Sequence, residues 1–217
     1  MVKFSASMMC ARYENLQREV ELLDAAGIDS YHIDLMDGMF VPNLGMGLQD
    51  IQCIKRLTDK PVEIHLMVKN IHAYLDVLRK LNVNKIYIHP EADLHPFTTL
   101  QMIVEMGVEP GIVVDPGTSV ETVRELLNVA KSVLVMAVTP GFAGQSFLPY
   151  VAEKIKLLNT IKDRYRVKLY WDGCCKWDKI EKYSKEGIDG FVLGTNVLFG
   201  HNETYADLIC RARKLAK

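Results

Sequence analysis

Residues 30–38 of this chain read Ser30-Tyr31-His32-Ile33-Asp34-Leu35-Met36-Asp37-Gly38. Polar and apolar side chains alternate over 30–35, so the stretch predicts a strand with His32 and Asp34 on one face. Met36-Asp37-Gly38 then breaks the alternation as a turn does. A histidine beside a carboxylate at a strand end is either a pair of metal ligands, a base with its partner, or a buried hydrogen-bonded pair without chemistry. The rest of the chain has to decide between these interpretations.

The same kind of strand recurs along the whole chain, each time followed by a segment of helical period. Strands are predicted over 4–9, 30–35, 62–67, 85–89, 111–114, 132–138, 167–171 and 190–194. Helices are predicted over 15–26, 48–57, 98–106, 120–129, 151–165, 179–186 and 204–215, with one more that Asn70 caps and that runs through Leu81. Parallel strands require such helical crossovers. Eight repeats predict an α/β fold, a closed (β/α)8 TIM barrel, with a doubly wound open sheet as the alternative. No linker divides the chain, so residues 1–217 are predicted to form one catalytic domain.

Composition excludes several classes of function. The 217 residues are 49% hydrophobic and 24% charged, with a formal net charge of −1. No basic region suits a nucleic-acid partner or an anionic membrane surface, and no apolar run reaches the ~20 residues of a membrane span. The five cysteines are scattered and odd in number, which argues against a disulfide framework and predicts a cytoplasmic protein.

Ionisable side chains cluster at the predicted carboxyl ends of the strands, where barrels of this type form their sites. His32 and Asp34 end the second strand, His65 lies near the end of the third, and Asp172 ends the seventh. Two imidazoles and two carboxylates suit a divalent ion of the Zn, Mn, Co or Fe type, and they are costly to bury without a cation. The alternative is a plain polar network. His89, at the end of the fourth strand, either supports these ligands or merely faces a loop.

Glycine-rich loops follow the last three strands. Residues 140–145 read Pro-Gly-Phe-Ala-Gly-Gln, Gly173 follows the seventh strand, and Gly194-Thr195 follows the eighth. Such loops let backbone N–H groups approach a phosphate, which commonly binds at this part of a barrel. Met36, Met67 and Met136 are predicted to line the pocket, although each also suits plain core packing.

Together these residues resemble the ribulose-phosphate 3-epimerase family over nearly the whole chain. The resemblance rests on Ser5-Ala6-Ser7 and on residues 32–38 (HIDLMDG), 40–43 (FVPN), 65–68 (HLMV), 139–145 (TPGFAGQ) and 171–173 (WDG). Within the family the chain looks closest to the D-allulose-6-phosphate 3-epimerase branch, on the evidence of Met9-Cys10, GFAGQ, Cys175 and Gly194-Thr195. It departs from the family where Ala6 replaces the usual proline, in residues 44–47, and where Cys174 replaces the usual glycine or serine.

The resemblance implies a TIM barrel of the ribulose-phosphate-binding type. It also implies a metal-dependent epimerase, an isomerase that inverts C3 of a ketose phosphate through an enediolate. A divalent metal is implied and no organic cofactor. Asp34 and Asp172 are implied as catalytic acid and base on opposite faces of the substrate, and His32, Asp34, His65 and Asp172 as metal ligands. The implied substrate-binding residues are Ser7, His65, Gly141, Phe142, Ala143, Gly144, Gly173, Cys174, Gly194 and Thr195.

Several questions stay open at the level of sequence. D-Allulose 6-phosphate is the expected substrate, converted to D-fructose 6-phosphate, and D-ribulose 5-phosphate, converted to D-xylulose 5-phosphate, is the alternative. A barrel that only binds a sugar phosphate is the non-catalytic alternative. A decarboxylase of the orotidine-phosphate type is disfavoured because it needs a lysine two residues after the strand aspartate, where this chain has Met36. A homo-oligomer is expected, with a small-molecule sugar phosphate as the only other partner.

Overall fold

Eight parallel strands close into a barrel in this computed structural model, which describes residues 1–217. Each strand pairs with the next in the chain, and β1 also pairs with β8, so the sheet has no free edge. The closed barrel predicted from the sequence is therefore confirmed, and the open sheet is excluded. The strands are β1 Lys3–Ser7, β2 Ser30–Met36, β3 Val62–Met67, β4 Lys85–Ile88, β5 Glu109–Val114, β6 Ser132–Met136, β7 Lys168–Asp172 and β8 Gly190–Leu193.

Eight α-helices surround the barrel, one after each strand, as the alternation predicts. They are α1 Leu16–Ala25, α2 Leu48–Leu57, α3 His72–Lys80, α4 Pro96–Glu105, α5 Val120–Val123, α6 Val151–Tyr165, α7 Trp177–Lys185 and α8 Tyr205–Leu215. None of them combines the length and the apolar character that crossing a membrane requires. All five cysteines are free thiols.

The differences from the predicted boundaries have local causes. β1 ends at Ser7, because Met8–Cys10 form a 3-10 turn whose apolar residues resemble a continued strand. Asn70 does not cap α3, which begins one residue after the buried Ile71. The helix predicted over 120–129 is α-helical only as α5 and continues as a 3-10 helix.

Strand alternation sends one face of β2 outward and the other into the barrel. Tyr31, Ile33 and Leu35 belong to the large core between the barrel and the helices, and the Tyr31 hydroxyl donates a hydrogen bond of 3.0 Å to the Val20 carbonyl of α1. Intervening residues therefore point into the barrel, as the period of two predicts. Asp34, the second such residue, is thereby placed inside at the carboxyl end of the strands.

The amino end of the barrel is closed by buried polar side chains, which we call the barrel floor: Ser5, Ser30, Glu63 and Lys85. The Ser30 hydroxyl donates to Glu63 over 2.6 Å, and the Lys85 ammonium lies 3.8 Å from the second oxygen of Glu63. Lys85 also lies 4.0 Å from the centre of the Tyr170 ring. Burial opposes the charge on Glu63, but Lys85, His32 and the two serine hydroxyls together outweigh it and lower the pKa of the Glu63 carboxyl. The floor is therefore an internally neutralised layer at the end of the barrel opposite the predicted site.

Candidate active site

The four predicted metal ligands meet at the carboxyl end of the barrel. Oδ1 of Asp34 lies 3.1 Å from Nδ1 of His65 and 3.5 Å from Nε2 of His32. Oδ2 of Asp172 lies 3.6 Å from Nδ1 of His65 and 3.7 Å from Nε2 of His32. The barrel thus brings side chains from three strands together around one point.

Strand register explains why these side chains meet. Asp34 of β2 is directly paired with His65 of β3, so both project inward at the same height. Asp172 ends β7, and the backbone N–H of Gly173 donates to its Oδ1 over 2.7 Å. The Ser7 hydroxyl at the end of β1 donates to Oδ2 of Asp34 over 3.2 Å. One oxygen of each carboxylate is therefore held in place while the other faces the imidazoles.

The two carboxylates differ in their affinity for a proton. Burial opposes ionisation of Asp34, but His32 and His65 outweigh it and hold the pKa of Asp34 well below its usual range. Burial raises the pKa of Asp172, and the negative charge of Asp34 adds to that increase. Burial lowers the pKa of His32, yet Asp34 and Asp172 reverse the effect and raise that pKa to about 9. Environments that displace the pKa values of two carboxyl groups in opposite directions are typical of an acid and base pair.

The donor set fits a divalent cation. One ligand atom from each of His32, Asp34, His65 and Asp172 lies within 4.8 Å of the other three. His32 is fully buried, yet neither of its ring nitrogens has a hydrogen-bonding partner in the chain. A buried polar atom without a partner is costly, and a metal ion would satisfy it. Two nitrogens and two carboxylate oxygens suit Zn, Mn, Co or Fe.

A cavity opens directly above these side chains. It is lined by every predicted substrate-binding and pocket-lining residue, while His32 lies fully buried beneath it. The lining comprises Ser7 and His65, the glycine-rich residues 141–144, Gly173 and Cys174, Gly194 and Thr195, and the methionines Met36, Met67 and Met136. Sequence reasoning had not placed Val138 and Val192 there, although Val138 precedes the glycine-rich loop after β6 and Val192 lies in β8.

Backbone donors are available on one side of the cavity. The N–H groups of Ala143, Gly144, Cys174 and Asn196 donate to no acceptor within the chain. The loop after β6 is held in shape by Gln145, whose amide donates 2.6 Å to the Thr139 carbonyl. Free N–H groups on loops of fixed conformation commonly bind phosphate oxygens without a lysine or arginine side chain.

Cys174 has a left-handed backbone, with φ of 45°, directly after Gly173 at φ of 86°. The conformation costs about 1–2 kcal/mol for a residue with a Cβ. The buried sulfur offsets this cost by packing among the apolar side chains of the barrel interior, including Met136 and Val138. Where the family usually has glycine or serine, Cys174 therefore adds backbone strain and gains apolar packing.

We expect Cys174→Gly to be more stable than Cys174→Ala. Both variants lose the sulfur, but only glycine relieves the left-handed strain, and its greater freedom in the unfolded chain offsets part of the gain. The net difference is expected to be about 0.5–1 kcal/mol in the free energy of unfolding, measured by urea denaturation. An alanine variant at least as stable as the glycine variant would show that the position carries no strain.

Two further residues adjoin the site. His89 is fully buried, with Nε2 2.7 Å from Nε2 of His65, and Nδ1 of His89 lies 3.2 Å from Oδ1 of Asp115. The sequence left the role of His89 open and overlooked Asp115. The sequence did contain a signal for Asp115, because this carboxylate directly follows β5, at the carboxyl end of the strands where the other site residues lie.

Fold and site together define a barrel that places candidate acid–base groups and candidate metal ligands beside a set of free backbone donors. The sequence profile of the Ribulose-phosphate 3 epimerase family matches residues 3–198. The chain belongs to this family, whose members are isomerases.

Relatives agree with that assignment, and a solved structure agrees with the fold. The chain is 34% identical to a ribulose-phosphate 3-epimerase of Methanocaldococcus jannaschii over 205 residues, 94% of this chain and 86% of the relative. It is 32% identical to the enzyme of that name from Aquifex aeolicus over 217 residues, 99% of this chain and 96% of the relative. KGPDC from Streptococcus mutans shares the barrel, with a TM-score of 0.76 at 10% identity over 99% of this chain and 97% of that one.

The comparisons bear differently on the two substrates expected from the sequence. They confirm the family and the isomerase class. The relatives named above are ribulose-phosphate 3-epimerases, which favours D-ribulose 5-phosphate, the alternative, over the expected D-allulose 6-phosphate. The resemblance to the allulose-6-phosphate branch gains no support from them.

Proposed function

We propose that this chain, acting as a single catalytic domain, interconverts D-ribulose 5-phosphate and D-xylulose 5-phosphate by inverting C3. The observation that carries the proposal is the pair Asp34 and Asp172, which face one cavity from β2 and β7 with their pKa values displaced in opposite directions. Membership of the epimerase family and the names of the relatives support the choice of reaction and substrate.

The proposed chemistry is a proton transfer on each face of the sugar carbon. Asp34, held ionised by the two imidazoles, accepts the C3 proton, and the electron pair moves towards the adjacent carbonyl to give an enediolate. Asp172 returns a proton to C3 from the opposite face, a role that its raised pKa favours. In the reverse direction the two carboxyl groups exchange roles. The Ser7 hydroxyl orients Asp34 for this step through its hydrogen bond to Oδ2.

A divalent ion of the Zn, Mn, Co or Fe type completes the proposal, held by His32, Asp34, His65 and Asp172. When bound, it would polarise the substrate carbonyl and stabilise the negative charge that develops on oxygen. The protein's own part is to hold the two imidazoles and two carboxylates around one point before substrate arrives.

The phosphate is proposed to bind at the free N–H groups of the loops after β6, β7 and β8. Gly173 is important there because a Cβ at this position would lie 2.4 Å from a methyl group of Val138, and its φ is positive. The cytoplasmic location and the homo-oligomeric state expected from the sequence remain part of the proposal.

A direct comparison of the two sugar phosphates tests the substrate. We expect kcat/KM for D-ribulose 5-phosphate to exceed that for D-allulose 6-phosphate by about tenfold or more, because one extra carbon between the reacting centre and the phosphate changes the distance that the cavity must span. Met9, Cys10 and Cys175, which suggested the allulose branch, do line the cavity. A higher kcat/KM for D-allulose 6-phosphate would therefore reverse the assignment.

Solvent exchange tests the reaction type. In deuterium oxide, the ketose phosphate recovered after turnover should carry deuterium at C3, because carboxyl groups exchange their protons with the solvent. The label is read by proton NMR, with a heat-denatured sample as the control. Recovery of fully protonated C3 after complete interconversion would exclude proton abstraction at that carbon.

A further inference from the structure

A chain of three side chains leads away from the candidate metal site. Nε2 of His65 lies 2.7 Å from Nε2 of His89, and Nδ1 of His89 lies 3.2 Å from Oδ1 of Asp115. The second contact lies within hydrogen-bonding distance but is poorly aligned, and neither of its two atoms has any other hydrogen-bonding partner in the chain. At its other end, Nδ1 of His65 faces Asp34 and Asp172.

The protons in this chain can be assigned from the acceptor at its end. A carboxylate only accepts hydrogen bonds, so Nδ1 of His89 must carry the proton that points to Asp115. A neutral His89 then has a lone pair on Nε2, and this lone pair accepts a hydrogen bond from Nε2–H of His65. Nε2 of His65 thus carries a proton, and Nδ1 is left to bind a metal ion. In the metal-free protein Nδ1 lies 3.1 Å from the Asp34 carboxylate and would carry a proton as well, which a bound ion would replace.

Packing leaves His89 little freedom to adopt another arrangement. Its ring lies nearly parallel to that of His65, at 20° with centroids 4.9 Å apart, and the Phe40 ring covers it at 4.7 Å. Both histidines are fully buried, so water does not compete for their nitrogens. The direction of the hydrogen bonds is therefore decided by Asp115.

We propose that His89 and Asp115 are positioning residues that fix the tautomer and the ring orientation of His65, so that its Nδ1 lone pair points into the metal site. The inference rests on the proposed metal-dependent function. Partners that accept the second N–H of a ligating histidine typically change metal affinity by about 10–100-fold when removed. Here the partner is another imidazole, and the carboxylate acts through it.

A second metal ion held by His89, Glu91 and Asp115 is the competing interpretation, since one ligand atom of each lies within 4.8 Å of the others. Charge and pairing argue against it. The Lys154 ammonium lies among these loops and donates to the Asp115 carbonyl over 2.7 Å. Glu91 accepts a hydrogen bond from Thr118, and both ring nitrogens of His89 face partners.

Titration of the metal-free protein with Co²⁺, followed by the visible absorption of the bound ion, tests the inference without substrate. Asp115→Asn keeps the shape of the side chain but can present either an acceptor or a donor to His89, so it no longer selects one tautomer. We expect its Co²⁺ affinity to fall by about 10–100-fold. At saturating Co²⁺, kcat with D-ribulose 5-phosphate should return close to the wild-type value.

Two further variants separate positioning from general damage. Asp93→Asn makes the same chemical change in a loop of the barrel mouth, where Asp93 contacts Thr99 and His72 and no proposed ligand. We expect it to bind Co²⁺ as the wild type does. His89→Gln offers an amide oxygen that can still accept from His65, so its affinity should exceed that of His89→Leu.

Each outcome of these titrations either supports or overturns the positioning role of His89 and Asp115. Wild-type affinity in Asp115→Asn, or equal affinity in the Gln and Leu variants, overturns the positioning role and leaves the proposed function untouched. Loss of a second Co²⁺ ion per chain in Asp115→Asn would make Asp115 a ligand and overturn it as well. A wild-type protein that binds no Co²⁺ would overturn both the metal assignment and this inference.

Discussion

Asp34→Asn is expected to lower kcat by about 10³–10⁴-fold, because an amide of the same shape cannot accept the C3 proton. Asp172→Asn should lose a comparable factor, since the second face of the substrate then lacks its proton donor. The rates are measured with D-ribulose 5-phosphate at saturating metal, and circular dichroism checks that both variants remain folded. The loss corresponds to about 4–5.5 kcal/mol of transition-state stabilisation.

A matched control is Asp178→Asn in the first turn of α7, an exposed carboxylate paired with Lys179. It makes the same substitution close to β7 without touching the cavity, so wild-type kcat is expected. A near wild-type rate in either active-site variant would remove the two-carboxylate mechanism, whatever the behaviour of the control.

Removal of the metal is the second change with a large effect. A chelator should abolish turnover, and added Zn²⁺, Mn²⁺ or Co²⁺ should restore it, because the remaining imidazoles and carboxylates lack the Lewis acid that the reaction needs. The measurement is turnover before chelation, after dialysis and after each metal is returned. The metal should also raise the unfolding temperature, because it binds the folded state only.

The control for this experiment is a chelator already saturated with the same metal, which should leave activity unchanged. Full turnover in a preparation shown by elemental analysis to contain no transition metal would refute the metal assignment. It would leave the two carboxyl groups as the whole of the catalytic apparatus.

Much of the fold was predictable because its signal is local and repeated. The alternation over Ser30–Met36 predicted the inward face of β2. Eight such units favoured a closed barrel over an open sheet, and the structure confirms closure. Boundaries were less predictable where apolar residues continue past the end of an element. β1 gives way to a 3-10 turn at Met8, and α3 begins after Ile71, because burial of these side chains does not depend on the backbone conformation they adopt.

Prediction of the candidate site from the sequence depended on prediction of the closed barrel. Asp172 lies on β7 and Asp34 on β2, two strands that are not neighbours, and only the closed ring brings them within reach of the same imidazoles. Asp115 was overlooked because a single carboxylate after a strand does not show which side chain it will contact. The substrate was not predictable, because it depends on distances of about one carbon–carbon bond within the cavity.

The barrel floor also has a consequence for behaviour at high temperature. The cost of keeping the charges of Glu63 and Lys85 out of water falls on heating, because the hydration of ions becomes less favourable, while the gain from apolar burial levels off. The share of folding free energy supplied by this ion pair therefore grows as the temperature rises. At high temperature we therefore expect the amino end of the barrel to supply a larger share of the folding free energy, relative to the mouth where the chemistry takes place.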